Sequence, residues 1–162
     1  MTDLEHVRIR LITPQDLPLV EAFYDQMGGE SRAFFNRGDG NRQFSLRALR
    51  GEAPNTAFFL AEAEGRMVGT VFLWDTHKRV PWLGIAVAED CKGRHLGRSL
   101  LSHAHEHARA LGAGGVLLTT AVANIRGQGL YERMGYERLG QHSSGEYLYL
   151  LRFDVGAPGA QG

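Results

Sequence analysis

The chain has 162 residues, with 18 lysines and arginines against 18 aspartates and glutamates, so its formal net charge at pH 7 is zero. This balance gives no strong field, and we expect neither nucleic acid nor an anionic membrane as a partner. A chain of this length is expected to fold as one domain around a hydrophobic core. The single cysteine, Cys91, excludes an internal disulfide and favours a reducing, cytoplasmic location, and no apolar run approaches membrane-spanning length.

The first part of the chain predicts a strand followed by a helix. Val7, Ile9 and Leu11 alternate with arginines, which is typical of a strand with one polar face. Thr13 as the N-cap and Pro14 at the first helical position predict where the helix begins. The two glycines at positions 28 and 29 are expected to end it.

Residues 30–43 combine Phe34 and Phe35 with charged residues and glycines, which predicts a loop with at most one helical turn, at residues 31–35. Two interpretations stay open. The segment is either a substrate-binding flap whose side chains face a pocket, or an irregular connection that buries two aromatic rings. Ser45 is then expected to cap a short helix over residues 46–50, which Gly51 ends.

The rest of the chain alternates strands and helices. Residues 57–63 and 67–74 predict an antiparallel hairpin around the Glu64-Gly65 turn, because glycine supplies the positive φ of such turns. We expect a strand at 82–87, an amphipathic helix at about 96–111, a buried strand at 116–122 and a helix at 124–133. Residues 136–139 and 147–153 predict a second hairpin. The domain is expected to span residues 1–155, with a frayed tail at 156–162.

The stretch at residues 85–101 is the first that suggests a chemical role. It reads IAVAEDCKGRHLGRSLL, a short apolar strand, a polar loop with Lys92, Gly93 and Arg94, and the start of a helix. The first N–H groups of a helix lack intrahelical partners, and the helix dipole favours an anion at that end. The sequence therefore predicts a phosphate-binding loop.

This order of elements and two motifs resemble the GNAT acetyltransferase superfamily over about residues 7–153. The superfamily's phosphate motif begins with Gln or Arg, has Gly three residues on, and Gly or Ala two after that. The corresponding residues are Lys92, which keeps the positive charge, His95 and Gly97. His95 is unfavourable if its position needs a positive φ and harmless if its φ is helical. The second motif, NIRGQGLYERMGY at residues 124–136, is similar to the superfamily's segment of Asn, a Leu-Tyr pair, and Gly followed by an aromatic.

The resemblance implies an α/β (α+β) fold, a mixed, mostly antiparallel sheet flanked by helices. It also implies direct acetyl transfer from acetyl-CoA to an amine, without a metal. Asn124 would hydrogen-bond the pantetheine region, and Tyr131, as the catalytic residue, would protonate the departing thiolate. The implied acetyl-CoA-binding residues are Ile85, Ala86, Val87, Lys92, Gly93, Arg94, His95, Leu96, Gly97, Arg98, Asn124 and Tyr131. Backbone N–H groups of residues 85–87 are candidate donors to the oxyanion, if this strand splays from its neighbour.

The general base is not identified from the sequence. Residues 82–87 hold no carboxylate, although some relatives carry a glutamate near the start of this strand. Asp75, His77, Glu30 and Asp39 stay open as candidates, acting directly or through water.

Two other features have simpler interpretations. His103 and His107 are one helical turn apart and could chelate a metal, but no second ligand cluster supports this, so we expect a solvated helix face that also carries His105. Cys91 has no apparent histidine partner, which favours a structural thiol.

The acceptor is expected to be a small-molecule or amino-acid-like primary amine, since the mixed charges of residues 30–43 favour neither a polycation nor a basic protein tail. A non-catalytic CoA-binding sensor is the alternative, suggested by His95 and by the missing strand carboxylate. A structural interaction domain without any cofactor is the third possibility. The resemblance also suggests a homodimer, formed through the C-terminal strands.

Overall fold

The computed structural model describes residues 2–153, which contain one seven-stranded sheet in the order β1-β2-β3-β4-β5-β7-β6. The parallel pair is β4 with β5, and the other neighbouring strands are antiparallel. The predicted mixed, mostly antiparallel sheet is confirmed. The strands are β1 (Arg8–Leu11), β2 (Thr56–Ala63), β3 (Arg66–Trp74), β4 (Trp82–Val87), β5 (Gly115–Thr120), β6 (Glu137–Gln141) and β7 (Tyr147–Arg152).

Helices cover both faces of the sheet. They are α1 (Leu17–Asp25), α2 (Gly29–Phe35), α3 (Gly40–Leu49), α4 (Leu96–Ala110) and α5 (Ile125–Arg133). Leu100, Leu101 and Ala104 of α4 pack in the larger core cluster, and α1 and α3 contribute to a second cluster around Leu60 and Met67. Within the described residues, no helix has the length and hydropathy needed to cross a membrane.

The start of the first helical segment is stabilised by charge and capping. Asp16 accepts hydrogen bonds from the Thr13 N–H at 2.8 Å and from both terminal nitrogens of Arg10 at 2.8 Å. The first turn, Pro14–Asp16, is a 3-10 helix that leads directly into α1. The predicted helix start is therefore confirmed.

The predicted loop over residues 30–43 and the predicted cap at Ser45 are wrong, because α2 and α3 occupy most of this stretch. Ser45 lies inside α3, where its hydroxyl donates to the Asn41 carbonyl and contacts the Tyr24 hydroxyl, both at 2.8 Å. The Asn36 side chain accepts the Arg42 N–H at 3.0 Å near the start of α3. These contacts stabilise α3, although the polar composition of its sequence did not predict a helix over its full length.

The two predicted hairpins are present, with a sharp turn between β2 and β3. Glu64 and Gly65 have φ values of 52° and 74°, as a two-residue hairpin turn requires. At the other end of the sheet, β6 is an outer strand whose residues are all exposed. Homodimer formation through the C-terminal strands stays a prediction, and the predicted tail at 156–162 lies outside the described residues.

Candidate active site

A cavity of about 550 Å³ lies beside the predicted phosphate-binding loop, and we call it the loop cavity. Its lining comes from α2, β4, the loop before α4, the first turn of α4, and α5. The predicted site residues in its lining are Ile85, Ala86, Val87, Lys92, Gly93, His95, Gly97, Arg98, Asn124 and Tyr131. The structure therefore brings these residues together around one space.

Arg94 and Leu96 are the two predicted site residues that do not line the loop cavity. The Arg94 guanidinium donates a hydrogen bond to the Thr2 carbonyl at 2.6 Å, so its side chain holds the N-terminal segment. The Leu96 side chain is buried in the main core cluster. Spacing along the chain could not reveal this, because side-chain direction depends on the backbone conformation of the loop.

The loop has the backbone geometry of an anion site. Gly93 and His95 adopt left-handed conformations, with φ values of 74° and 67°. Successive N–H groups around such residues can converge on an anion. The Ser99 N–H donates to the His95 carbonyl at 3.2 Å, which is the first backbone bond of α4. The N–H groups of the helix residues before Ser99 have no intrahelical partner of this kind. His95 therefore occupies the unfavourable alternative, a positive φ at a non-glycine residue, which costs about 1 kcal/mol.

Positive charge dominates the loop cavity. Its lining carries four permanent cations and one carboxylate, Glu30. The four cations are Lys92, Arg98, Arg126 and Arg133. Arg126 and Arg133, both on α5, were not predicted as site residues, although their spacing from Leu130 places all three on one face of the helix.

Lys92 is already paired within the protein. Its ammonium contacts the Ser31 hydroxyl at 2.7 Å and the Glu89 carboxylate at 3.1 Å. The Ser31 hydroxyl also donates to Glu89, and this bond, followed by the contact with Lys92, lowers the pKa of the Glu89 carboxyl. The arrangement ties the loop to α2 and partly neutralises Lys92.

Strands β4 and β5 diverge, which opens a gap in the sheet. Their pairing is confined to Trp82 and Leu117 among the described residues, next to a bond from the Leu117 N–H to the Pro81 carbonyl at 2.9 Å. The Ala88 N–H donates to β3 at 2.8 Å, and backbone groups alternate in direction along a strand. Ile85 and Val87 therefore direct their N–H and C=O groups into the gap.

A second cavity of about 350 Å³ adjoins the loop cavity at this gap, and we call it the aromatic cavity because Phe34, Phe35, Phe72 and Trp74 line it. Both phenylalanines of α2 line both cavities, and both are half-buried. The segment is therefore neither an irregular flap nor an irregular connection but mainly helix, and a role in substrate binding stays a prediction. The residues that line both cavities are Phe34, Phe35, Ile85, Asn124 and Tyr131.

Tyr131 lies where the two cavities meet, and only 6% of it is exposed. Its ring packs against Tyr136 and Tyr149 with centroid distances of 5.8 and 5.9 Å. Burial raises the pKa of the Tyr131 phenol well above its usual value, and the charge of Glu146 raises it further. The phenol therefore stays protonated at neutral pH and can act as a proton donor.

Asn124 is the N-cap of α5. Its Oδ1 accepts the Gly127 N–H at 3.1 Å, and its Nδ2 donates to the Thr120 hydroxyl at 3.1 Å. A carboxamide has two N–H groups and two lone pairs, so one of each is left for a ligand in the adjoining cavities.

The structure separates the candidate bases. Glu30 lines the loop cavity, whereas Asp39, Asp75 and His77 line neither of the two cavities. A carboxylate that sequence reasoning missed, Glu146, lines the aromatic cavity. It lies in the hairpin between β6 and β7, and nothing in its local sequence distinguishes it from other surface glutamates.

The three histidines of α4 and the cysteine have packing roles. His103 and His107 pack edge-on against Phe59, at centroid distances of 4.7 and 5.2 Å. The predicted solvated histidine face is wrong for His105, which is 4% exposed and contacts the Tyr136 hydroxyl at 2.6 Å. The Cys91 thiol is buried, and burial raises its pKa, so it stays protonated. Residues 2–153 contain no group of three or more potential metal-binding side chains.

Comparisons with solved structures show the same fold. An acetyltransferase of the GNAT family from Streptococcus pneumoniae aligns with a TM-score of 0.73 and 24% identity, covering 91% of this chain and 100% of that chain. The PaiA N-acetyltransferase from Thermoplasma acidophilum, in complex with coenzyme A, aligns with a TM-score of 0.74 and 14% identity, covering 91% of this chain and 99% of that chain.

The sequence comparisons are more specific. A streptothricin acetyltransferase from Streptomyces lavendulae is 30% identical over 133 residues, which are 81% of this chain and 64% of that protein. The chain spans less than two thirds of the length of the curated relatives it matches. The sequence model described as the acetyltransferase (GNAT) family matches residues 20–136, which is most of the chain. This chain therefore belongs to the acetyltransferase (GNAT) family.

Proposed function

We propose that the protein transfers an acetyl group from acetyl-CoA directly to a primary amine of a small-molecule or amino-acid-like acceptor. The observation that carries the proposal is that two cavities whose lining residues carry net charges of opposite sign meet at Tyr131, beside the gap between β4 and β5. The relatives named as acetyltransferases support the same activity.

The loop cavity suits acetyl-CoA in its charge and in the backbone groups that face it. Its cations and the N–H groups around Gly93 and His95 would hold the pyrophosphate. The backbone groups that Ile85 and Val87 direct into the gap would hydrogen-bond the amide-containing pantetheine arm. The thioester supplies an activated acyl carbon and a thiolate leaving group.

The residues at the gap have distinct roles in this proposal. Ile85 and Val87 are two residues apart on β4, so their N–H groups are about 7 Å apart and only one of them would donate to the oxygen on which negative charge develops. One such donor is typically worth about 10² to 10³ in rate, and the other N–H is left for the pantetheine arm. Tyr131 would give its proton to the departing sulfur, and burial, which raises the pKa of the phenol, keeps that proton in place until the thiolate forms.

A non-catalytic CoA sensor is the second candidate. It is favoured by the left-handed conformation of His95, which puts strain into the loop, and by the absence of a carboxylate on β4. The two functions differ in turnover, since a sensor binds acetyl-CoA without releasing thiol.

Isothermal titration with acetyl-CoA tests the donor site. We expect micromolar binding by the wild type and at least about a 100-fold loss in Gly97→Trp, because an ideal Cβ at Gly97 already lies 3.0 Å from Leu130 Cδ2 in the cavity wall. Gly29→Trp is the matched control, since a Cβ there meets nothing within 4 Å.

A panel of primary amines, assayed by thiol release, then tests transfer. Binding followed by amine-dependent thiol release supports the enzyme. Binding without release from any amine favours the sensor, and no binding by the wild type contradicts both.

A further inference from the structure

The residues that line the aromatic cavity indicate which kind of acceptor it would bind. It adjoins the loop cavity at Tyr131, and its volume of about 350 Å³ is near the lower end of the range for small-molecule sites. The inference below rests on the proposed acetyl transfer, with this cavity as the acceptor site.

Glu146 is the one charged residue among the described residues that line this cavity. The Thr119 hydroxyl donates to its Oε1 at 2.8 Å, which orients the carboxylate. Within residues 2–153, the ion pairs between basic and acidic side chains do not include Glu146. The carboxylate is therefore held in position without a cation of its own.

The backbone also fixes Glu146. Its carbonyl accepts the His142 N–H at 2.7 Å, and the next residue, Tyr147, pairs with Thr120 at the end of β5. Glu146 and Tyr131 both line the aromatic cavity, and the negative charge of Glu146 contributes to the raised pKa of the Tyr131 phenol. A proton acceptor and a proton donor thus line the same cavity.

The rest of the wall combines aromatic and apolar side chains with uncharged polar ones, among them Asn41, Thr120 and Asn124. Phe72 stacks on Phe58 with a centroid distance of 4.3 Å, and Trp74 stacks on Trp82 at 6.0 Å, so both rings are held in place. Aromatic faces attract cations and also pack against apolar groups. Such a wall with one carboxylate complements an ammonium group on an apolar body.

The same wall disfavours an acceptor with a carboxylate next to its amine. That carboxylate would lie near Glu146, and the described residues that line the cavity include no lysine or arginine to pair with it. Within the proposed acceptor class, an amino-acid-like acceptor is therefore less favourable than a primary amine without a carboxylate.

We propose that the acceptor is an arylalkylamine-like primary amine without a carboxylate beside the nitrogen, and that Glu146 binds its ammonium group and accepts its proton. The neutral nitrogen then attacks the acyl carbon. As the C–N bond forms and the C–S bond breaks, Tyr131 protonates the sulfur. The second surplus proton of the nitrogen returns to the Tyr131 phenolate, and Glu146 releases the first proton to water, so the reaction yields amide, thiol and one proton.

The test compares 2-phenylethylamine with phenylalanine, which differ only in the carboxylate. We expect wild-type kcat/KM to be at least about tenfold higher for 2-phenylethylamine. Glu146→Gln keeps the shape and an oxygen for the Thr119 hydroxyl but removes the charge. It should lower kcat/KM for 2-phenylethylamine by about 10² to 10⁴, raise its KM, and leave acetyl-CoA binding by isothermal titration unchanged.

Glu137→Gln is the matched control, because Glu137 lies in the same hairpin, is exposed and lines neither cavity. Wild-type kinetics in Glu146→Gln, or equal activity on the two acceptors, overturns the inference while the acetyl transfer itself still stands. Loss of acetyl-CoA binding by the wild type overturns the proposed function as well.

Discussion

The loop cavity and the aromatic cavity share a wall but differ in charge and in how they are built. The loop cavity has four permanent cations and one carboxylate, and its anion-binding geometry comes from one continuous stretch of backbone. The aromatic cavity has a single carboxylate among its described lining residues, which come from helices, strands and a hairpin far apart in the chain.

In the proposed function, this difference would let one chain hold two oppositely charged substrates together. Phosphates would be attracted to the loop cavity and an ammonium group to the aromatic cavity, so each site would disfavour the charged group that belongs in the other. The cavities meet at Tyr131, whose phenol is neutral because burial raises its pKa.

The largest expected effect comes from the residue at the junction. Tyr131→Phe should lower kcat by about 10² to 10⁴ while the dissociation constant of acetyl-CoA stays within about twofold, because the phenol is asked to give a proton and not to bind. Steady-state kinetics and isothermal titration measure the two quantities. Tyr149→Phe is the control, since Tyr149 packs beside Tyr131 but bonds Glu132 and lines neither cavity. An unchanged kcat in Tyr131→Phe would remove the proton donor from the mechanism.

A smaller effect should come from narrowing the aromatic cavity alone. Gly84 lies opposite Phe72 on the neighbouring strand, and an ideal Cβ there would lie 2.7 Å from Phe72 Cε2. Gly84→Ala should therefore displace the ring, cost about 1 to 3 kcal/mol of unfolding free energy and raise the amine KM about tenfold, with unchanged acetyl-CoA affinity.

Urea unfolding and steady-state kinetics check both parts of this prediction, and Gly29→Ala, at an open position, is the matched control. If Gly84→Ala weakened acetyl-CoA binding as much as it raised the amine KM, the two cavities would not be independent.

The smallest effect should come from one exposed cation of the loop cavity. Arg126→Glu should weaken acetyl-CoA binding about tenfold at low ionic strength and less at 0.5 M salt, because solvent ions screen an exposed charge. Arg50→Glu reverses an exposed charge outside both cavities and should have no effect. A salt-independent loss would indicate a packing role for Arg126 instead.

Local patterns predicted much of the fold. The Glu64-Gly65 turn, the apolar stripe of α4 and the strand before the phosphate-binding loop follow from backbone preferences and hydrophobic period over a few residues. The same patterns failed for α3, whose polar sequence is helical in the context of contacts with Tyr24 and Asn36.

The sequence by itself determined the loop segment of the loop cavity, because its glycines, two of the four cations and the helix start are adjacent in the chain. Only the tertiary structure decided the divergence of β4 from β5, the left-handed conformation of His95, and the placement of Glu146 in the same cavity as Tyr131. The physical reason is the distance along the chain over which each effect acts. Propensity and periodicity act over neighbouring residues, whereas the aromatic cavity is formed by side chains from Ala33 to Glu146 that packing alone brings together.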